Sequence, residues 1–128
     1  MAEKKDKPVV INVLDDTYYS DCHIAGSINI PLRQIERCEN EYDKDAEIVV
    51  YCAHELCTAS MEALKKLKEL GFTSVRAYEA GMANWYQSDL PVVGSCTKEY
   101  LAHQPTKEEV HGPEIISAEE LAKKMGYR

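Results

Sequence analysis

The run Ile48-Val49-Val50-Tyr51 carries apolar or aromatic side chains at every position, so a strand formed from it must be covered on both faces. Such strands belong to parallel sheets layered between helices, which makes an α/β fold the expectation. The flanking sequence agrees. Residues 9–13, 27–30 and 75–78 read as further strands, and helical patterns lie between them. The clearest covers 58–70, where Ala63, Leu64, Leu67 and Leu70 form one face, Lys65, Lys66, Lys68 and Glu69 the other, and Gly71 closes the helix. Residues 32–38 and 82–87 are shorter helical candidates. The expected architecture is a mostly parallel central sheet flanked by helices, a class in which ligands gather at the carboxyl ends of strands. Residues 1–8 read as a charged extension, 9–94 as one domain, 95–113 as a linker without apolar periodicity, and 114–128 as a strand-helix tail.

Charge narrows the function. Fifteen Lys and Arg against 22 Asp and Glu give a formal net charge of −7 over 128 residues, which disfavours nucleic acid or an anionic membrane as partner. The start, Met1-Ala2-Glu3-Lys4-Lys5-Asp6-Lys7-Pro8, lacks the apolar segment of a signal peptide, and apolar runs elsewhere are too short to span a bilayer. A soluble, cytoplasmic protein is expected. Five cysteines, Cys22, Cys38, Cys52, Cys57 and Cys96, without an export signal then favour free thiols over a disulfide framework.

One thiol stands out. Cys52 follows the buried strand directly, Ala53 to Cys57 make a short loop, and Thr58 opens the next helix. The first N–H groups of a helix have no acceptors of their own, so a sulfur anion among them gains charge-assisted hydrogen bonds of about 1.5–3 kcal/mol each. The helix dipole adds only about 0.3–1 kcal/mol. Glu55 opposes the anion and a protonated His54 would assist it. Burial of Cys52 as a small apolar residue is the competing reading.

Three stretches carry a family resemblance. Tyr19-Ser20-Asp21-Cys22-His23-Ile24-Ala25-Gly26-Ser27-Ile28-Asn29-Ile30-Pro31 resembles the upstream signature of rhodanese domains. Tyr51-Cys52 followed by Thr58-Ala59-Ser60 resembles their active-site loop and helix, and Tyr78-Glu79-Ala80-Gly81-Met82-Ala83-Asn84-Trp85 with Leu90-Pro91-Val92 their closing signature. The resemblance implies a rhodanese-like fold and a sulfurtransferase or sulfane-sulfur carrier. Cys52 would be the catalytic nucleophile that carries a persulfide, and the loop Ala53, His54, Glu55, Leu56, Cys57 and Thr58 would bind it. The partners would be a sulfane-sulfur donor and a thiol or other nucleophilic acceptor, with no cofactor and no metal.

Departures from the family pattern sharpen the expectation. Asn12-Val13-Leu14 stands where the family often has Asp-Val-Arg, and the loop lacks the arginine or lysine that the family commonly carries. With Glu55 present, thiosulfate is not the expected preferred donor. The related phosphatases and arsenate reductases have a longer loop ending in arginine, so phosphoryl chemistry lacks its charge-stabilising group here. Alternatives are a noncatalytic rhodanese-like interaction module, or a thiol-disulfide or metal-binding protein using Cys52 with Cys57 or Cys22. Cys57 could resolve a Cys52 persulfide. His23 is expected to bond locally rather than to bind zinc. Rhodanese domains usually open with a strand and a short helix, and only eight residues precede Val9. Residues 114–128 resemble that element: Ile115-Ile116 as strand, Ser117 and Glu120 as a capping box, Ala118, Leu121, Ala122 and Met125 as one apolar face. Docking of this tail on its own domain, as a monomer, or exchange in a tail-swapped dimer, is expected.

Overall fold

The structure, a computed structural model, describes residues 7–54, 57–102 and 114–127. Four strands, β1 (Val9–Asn12), β3 (Ile28–Asn29), β4 (Ile48–Tyr51) and β5 (Val75–Tyr78), form a parallel sheet in the order β3-β1-β4-β5. The register pairs Asn12 with Asn29 and with Tyr51, and Tyr51 with Tyr78, so the carboxyl ends lie level along one edge. Cys52 begins there. A separate antiparallel ribbon joins β2 (His23–Ile24) to β6 (Val92–Val93).

The pleat divides the core. Val10, Val49, Tyr51 and Tyr78 pack on one face with Met82 and Trp85 of α4 (Gly81–Gln87). Ile48, Val50 and Cys52 pack on the other with Ala63, Leu64 and Leu67 of α3 (Ala59–Glu69), and with Ile35. The expected helix at 32–38 is a 3-10 turn over Leu32–Arg37 that passes into α2 (Cys38–Glu41). The helix α1 (Asp16–Asp21) has no counterpart in the sequence pattern, because none of its residues is buried and no apolar face announces it. No helix among the described residues is long and apolar enough to cross a membrane.

The cysteine expectation requires correction. Cys22 and Cys96, 74 residues apart, form a disulfide with Cα atoms 4.6 Å apart, while Cys38, Cys52 and Cys57 are free thiols. Chain order hides this pair: Cys22 ends α1, and the chain leaving β6 returns over it. Gly94 permits that return, since a Cβ there would collide with the Asp21 carbonyl. The described part of the stretch read as a linker is packed. Glu99–Ala102 forms a 3-10 turn, Leu101 is buried, and the Gln87 side chain donates to the Leu101 carbonyl at 2.8 Å.

The tail lies beside β5. Ala77 N–H donates to the Glu114 carbonyl at 2.7 Å and Ile116 N–H to the Ala77 carbonyl at 2.9 Å, a parallel bridge at Ile115. In α5 (Ala118–Met125), Ser117 Oγ accepts from Glu120 N–H, and Gly126 closes the helix in the left-handed region. Arg76 holds the Glu120 carboxylate with two hydrogen bonds of 2.8 and 2.9 Å. Leu121, fully buried in the Trp85 cluster, is expected to cost about 2–5 kcal/mol when replaced by alanine, read as a lowered midpoint in urea unfolding. An unchanged midpoint would show that α5 is not part of the cooperative unit.

Candidate active site

The end of β4 is fixed before the loop begins. Tyr51 is fully buried, and its hydroxyl accepts from Ile24 N–H at 3.1 Å and from Asn12 Nδ2 at 3.2 Å. Ser27 Oγ lies 2.9 Å away and donates to the Ile24 carbonyl, so the Tyr51 hydroxyl donates to Ser27. This network ties β4 to the upstream signature, and burial pushes the Tyr51 phenol up to about 12.

The loop is held from behind by α4. Met82 N–H donates to the Cys52 carbonyl at 2.8 Å and Ala83 N–H to the Ala53 carbonyl at 2.9 Å. Both carbonyls therefore face α4. Gly81 makes the approach possible: its φ is +79°, and a Cβ would lie 2.8 Å from backbone atoms of Ala53 and His54. Cys57 N–H closes the turn on the His54 carbonyl at 2.9 Å.

Two sulfurs share this turn. Cys52 is buried on the floor, its S–H 3.5 Å from the Cys57 carbonyl. Cys57 is half-buried and lines a cavity of about 570 Å³ together with Leu14, Ala53 and His54. Of the two, Cys57 is the more acidic. Hydrogen bonding with Cys57 and burial raise the pKa of Cys52, opposed by Ser60. The Cys57 thiol is lowered to about 5, chiefly by the hydrogen bond from Cys52, and further by the N–H groups of Ala53 and Ala59. The helix-start donors are thus divided: Ala59 serves Cys57, and Ser60 serves Cys52. Ser60 Oγ is buried and has no partner besides the Cys52 sulfur among the described residues.

Other residues singled out in the sequence fall as follows. Thr58 is exposed, and its hydroxyl donates to Glu62 at 2.9 Å rather than facing the sulfurs. Glu55 and Leu56 lie outside the described residues. His23 donates from Nδ1 to the Tyr19 carbonyl at 2.8 Å and stacks on the Tyr19 ring. Cys22 is spent in the disulfide, which removes it as a partner for Cys52. Among the described residues no cluster of three or more His, Cys, Asp or Glu could hold a metal. The outer wall of the cavity is Tyr18, Thr97, Lys98, Glu99 and Tyr100, residues that no local spacing connects with Cys52.

Charge state gives a direct test. At pH 6 a thiol of pKa near 5 is about 90% thiolate, whereas an ordinary thiol near 8.5 is below about 1%. Iodoacetamide should therefore alkylate Cys57 at similar rates at pH 8 and pH 6, and Cys52→Ala should restore an ordinary fall because its S–H is the main stabilising donor. A tenfold loss per pH unit in the unaltered protein would contradict this assignment.

The comparisons agree with this geometry. The family model for the rhodanese-like domain matches residues 1–88. The chain is 28% identical over 82 residues to thiosulfate sulfurtransferase GlpE of Coxiella burnetii, covering 64% of this chain and 75% of that protein. It is 33% identical over 86 residues to the putative sulfur carrier protein YrkF of Bacillus subtilis, covering 65% of this chain and 45% of the relative. Among solved structures, the BH2092 protein of Bacillus halodurans superposes with a TM-score of 0.63 at 30% identity, covering 69% of this chain and 64% of that one. A rhodanese from E. coli described with anions gives 0.55 at 28% identity, over 68% of this chain and 98% of that one. With its parallel sheet, its loop cysteine and a family match over more than half its length, the chain belongs to the rhodanese-like domain family.

Proposed function

We propose that this protein is a sulfurtransferase or sulfane-sulfur carrier working through a persulfide on Cys52. The observation that carries the reading is Ser60, whose buried hydroxyl and N–H are both directed to the Cys52 sulfur, the hydroxyl having no other partner among the described residues. A buried hydroxyl with no other partner is costly in a neutral resting site and useful beside a sulfur anion. In the charging step Cys52 gives up its proton to solvent, and the Cys52 thiolate attacks the terminal sulfur of the donor. The bond between that sulfur and the rest of the donor breaks, and the donor leaves with its electron pair. Cys52–S–S⁻ remains, receiving hydrogen bonds from Ser60. An acceptor nucleophile then attacks the outer sulfur, and Cys52 departs as thiolate.

Leu14 and Ala53 face the cavity where the family often presents cations, so a compact dianion such as thiosulfate is a poor donor. The test is thiocyanate formation from a sulfane donor and cyanide. Turnover in the unaltered protein and its loss in Cys52→Ser support the reading. No turnover across several donors favours an interaction module, and turnover retained by Cys52→Ser removes Cys52 from the chemistry.

A further inference from the structure

The cavity over the cysteine loop has a wall that comes from outside the matched family region, which ends at residue 88. That wall is anchored at three points. Cys96 is bonded to Cys22, the Cys96 N–H donates to the Asp21 carbonyl at 2.8 Å, and the Asp21 carboxylate accepts from Thr97 N–H, Thr97 Oγ1 and Lys98 N–H. The Thr97 and Lys98 donors hold that carboxyl below its usual range. Such fastening exceeds what a passing connection needs.

The anchored segment brings two groups to the cavity. Lys98 is the one lysine or arginine among the described lining residues, and its ammonium lies 5.2 Å from the Tyr18 ring centroid. The Tyr100 ring lies 5.8 Å from the same ring, and its hydroxyl is buried without a hydrogen-bond partner among the described residues. Burial holds that phenol protonated, and Tyr51 and Cys52 are close enough to raise it further. An uncharged donor hydroxyl, a cation and two rings thus meet at the cavity that Cys57 lines.

We propose that residues 96–100 form the donor-binding wall of this site, where Lys98 and Tyr100 take the anionic head of an organic thiosulfonate. This rests on the Cys52 persulfide reading. Glu99 shares the lining, so the cation is balanced and one negative charge is accommodated better than two. The paired tyrosine rings offer an apolar surface for the organic group, which thiosulfate lacks. The transfer balances: Cys52–S⁻ and R–SO₂–S⁻ give Cys52–S–S⁻ and the sulfinate R–SO₂⁻, with the S–S bond to the sulfonyl group broken and its electron pair leaving on the sulfinate.

The experiment uses the full chain, oxidised at Cys22–Cys96, with benzenethiosulfonate as donor and cyanide as acceptor. Lys98→Met should raise KM about tenfold with kcat little changed, Lys98→Arg should stay within about twofold of the unaltered protein, and Tyr100→Phe should lose about tenfold in kcat/KM. Iodoacetamide, which is uncharged, should alkylate Cys57 at the same rate in all four proteins, showing an intact loop. An unaltered protein that charges normally while Lys98→Met keeps its KM overturns this inference alone. An unaltered protein that forms no persulfide with benzenethiosulfonate or any other donor overturns the underlying reading as well.

Discussion

Deleting residues 114–128 is expected to abolish a cooperative unfolding transition or lower its midpoint by more than about 15 °C. Ile115, Ile116, Leu121 and Met125 are each 7% exposed or less. At about 1.5–3 kcal/mol apiece, their burial is of the same order as the roughly 5–15 kcal/mol that stabilises a whole domain. Truncation would also strip Ala77 of both tail hydrogen bonds and leave β5 as an open edge prone to pairing between chains. We propose that the tail occupies the place of the strand and helix with which rhodanese domains usually open, giving a permuted order. An equally stable, cooperative truncated chain in differential scanning calorimetry would contradict it, and a concentration-dependent elution volume of the full chain would favour a swapped dimer.

Cys57→Ser should separate two roles of one thiol. Loss of the Cys57 sulfur removes the hydrogen bond and the negative charge that raise the Cys52 thiol, so charging should speed up severalfold. The same variant should lengthen the life of the persulfide, because Cys57 can no longer attack the inner sulfur to release HS⁻ and close a Cys52–Cys57 disulfide. Single-turnover charging followed by timed quenching measures both rates. If charging and decay were both unchanged, Cys57 would be a bystander.

The central sheet was legible because Ile48 to Tyr51 is apolar on both faces and the α3 pattern is unambiguous, signals that depend on neighbours in sequence. The cap and apolar face of α5 were legible for the same reason. What escaped was set by contacts across the chain. α1 buries nothing, so it leaves no periodic trace. The Cys22–Cys96 pair spans 74 residues, and compartment reasoning from an odd cysteine count pointed away from it. Lys98 and Tyr100 reach the cysteine loop through that disulfide and the Asp21 contacts, in a stretch whose mixed composition resembled a connection. The loop sequence itself carries no Lys or Arg, whereas the fold brings Lys98 to the outer wall of the cavity beside it.

The most direct test of the account is the location of one sulfur atom. After brief treatment with a sulfane donor, intact-mass measurement and fragment-ion mapping of the peptide containing Cys52 and Cys57 should place a single added sulfur on Cys52. Cys57→Ser should retain the adduct and Cys52→Ser should not form it. An adduct that resides on Cys57, or that persists in Cys52→Ser, would contradict the assignment of Cys52 as the persulfide carrier.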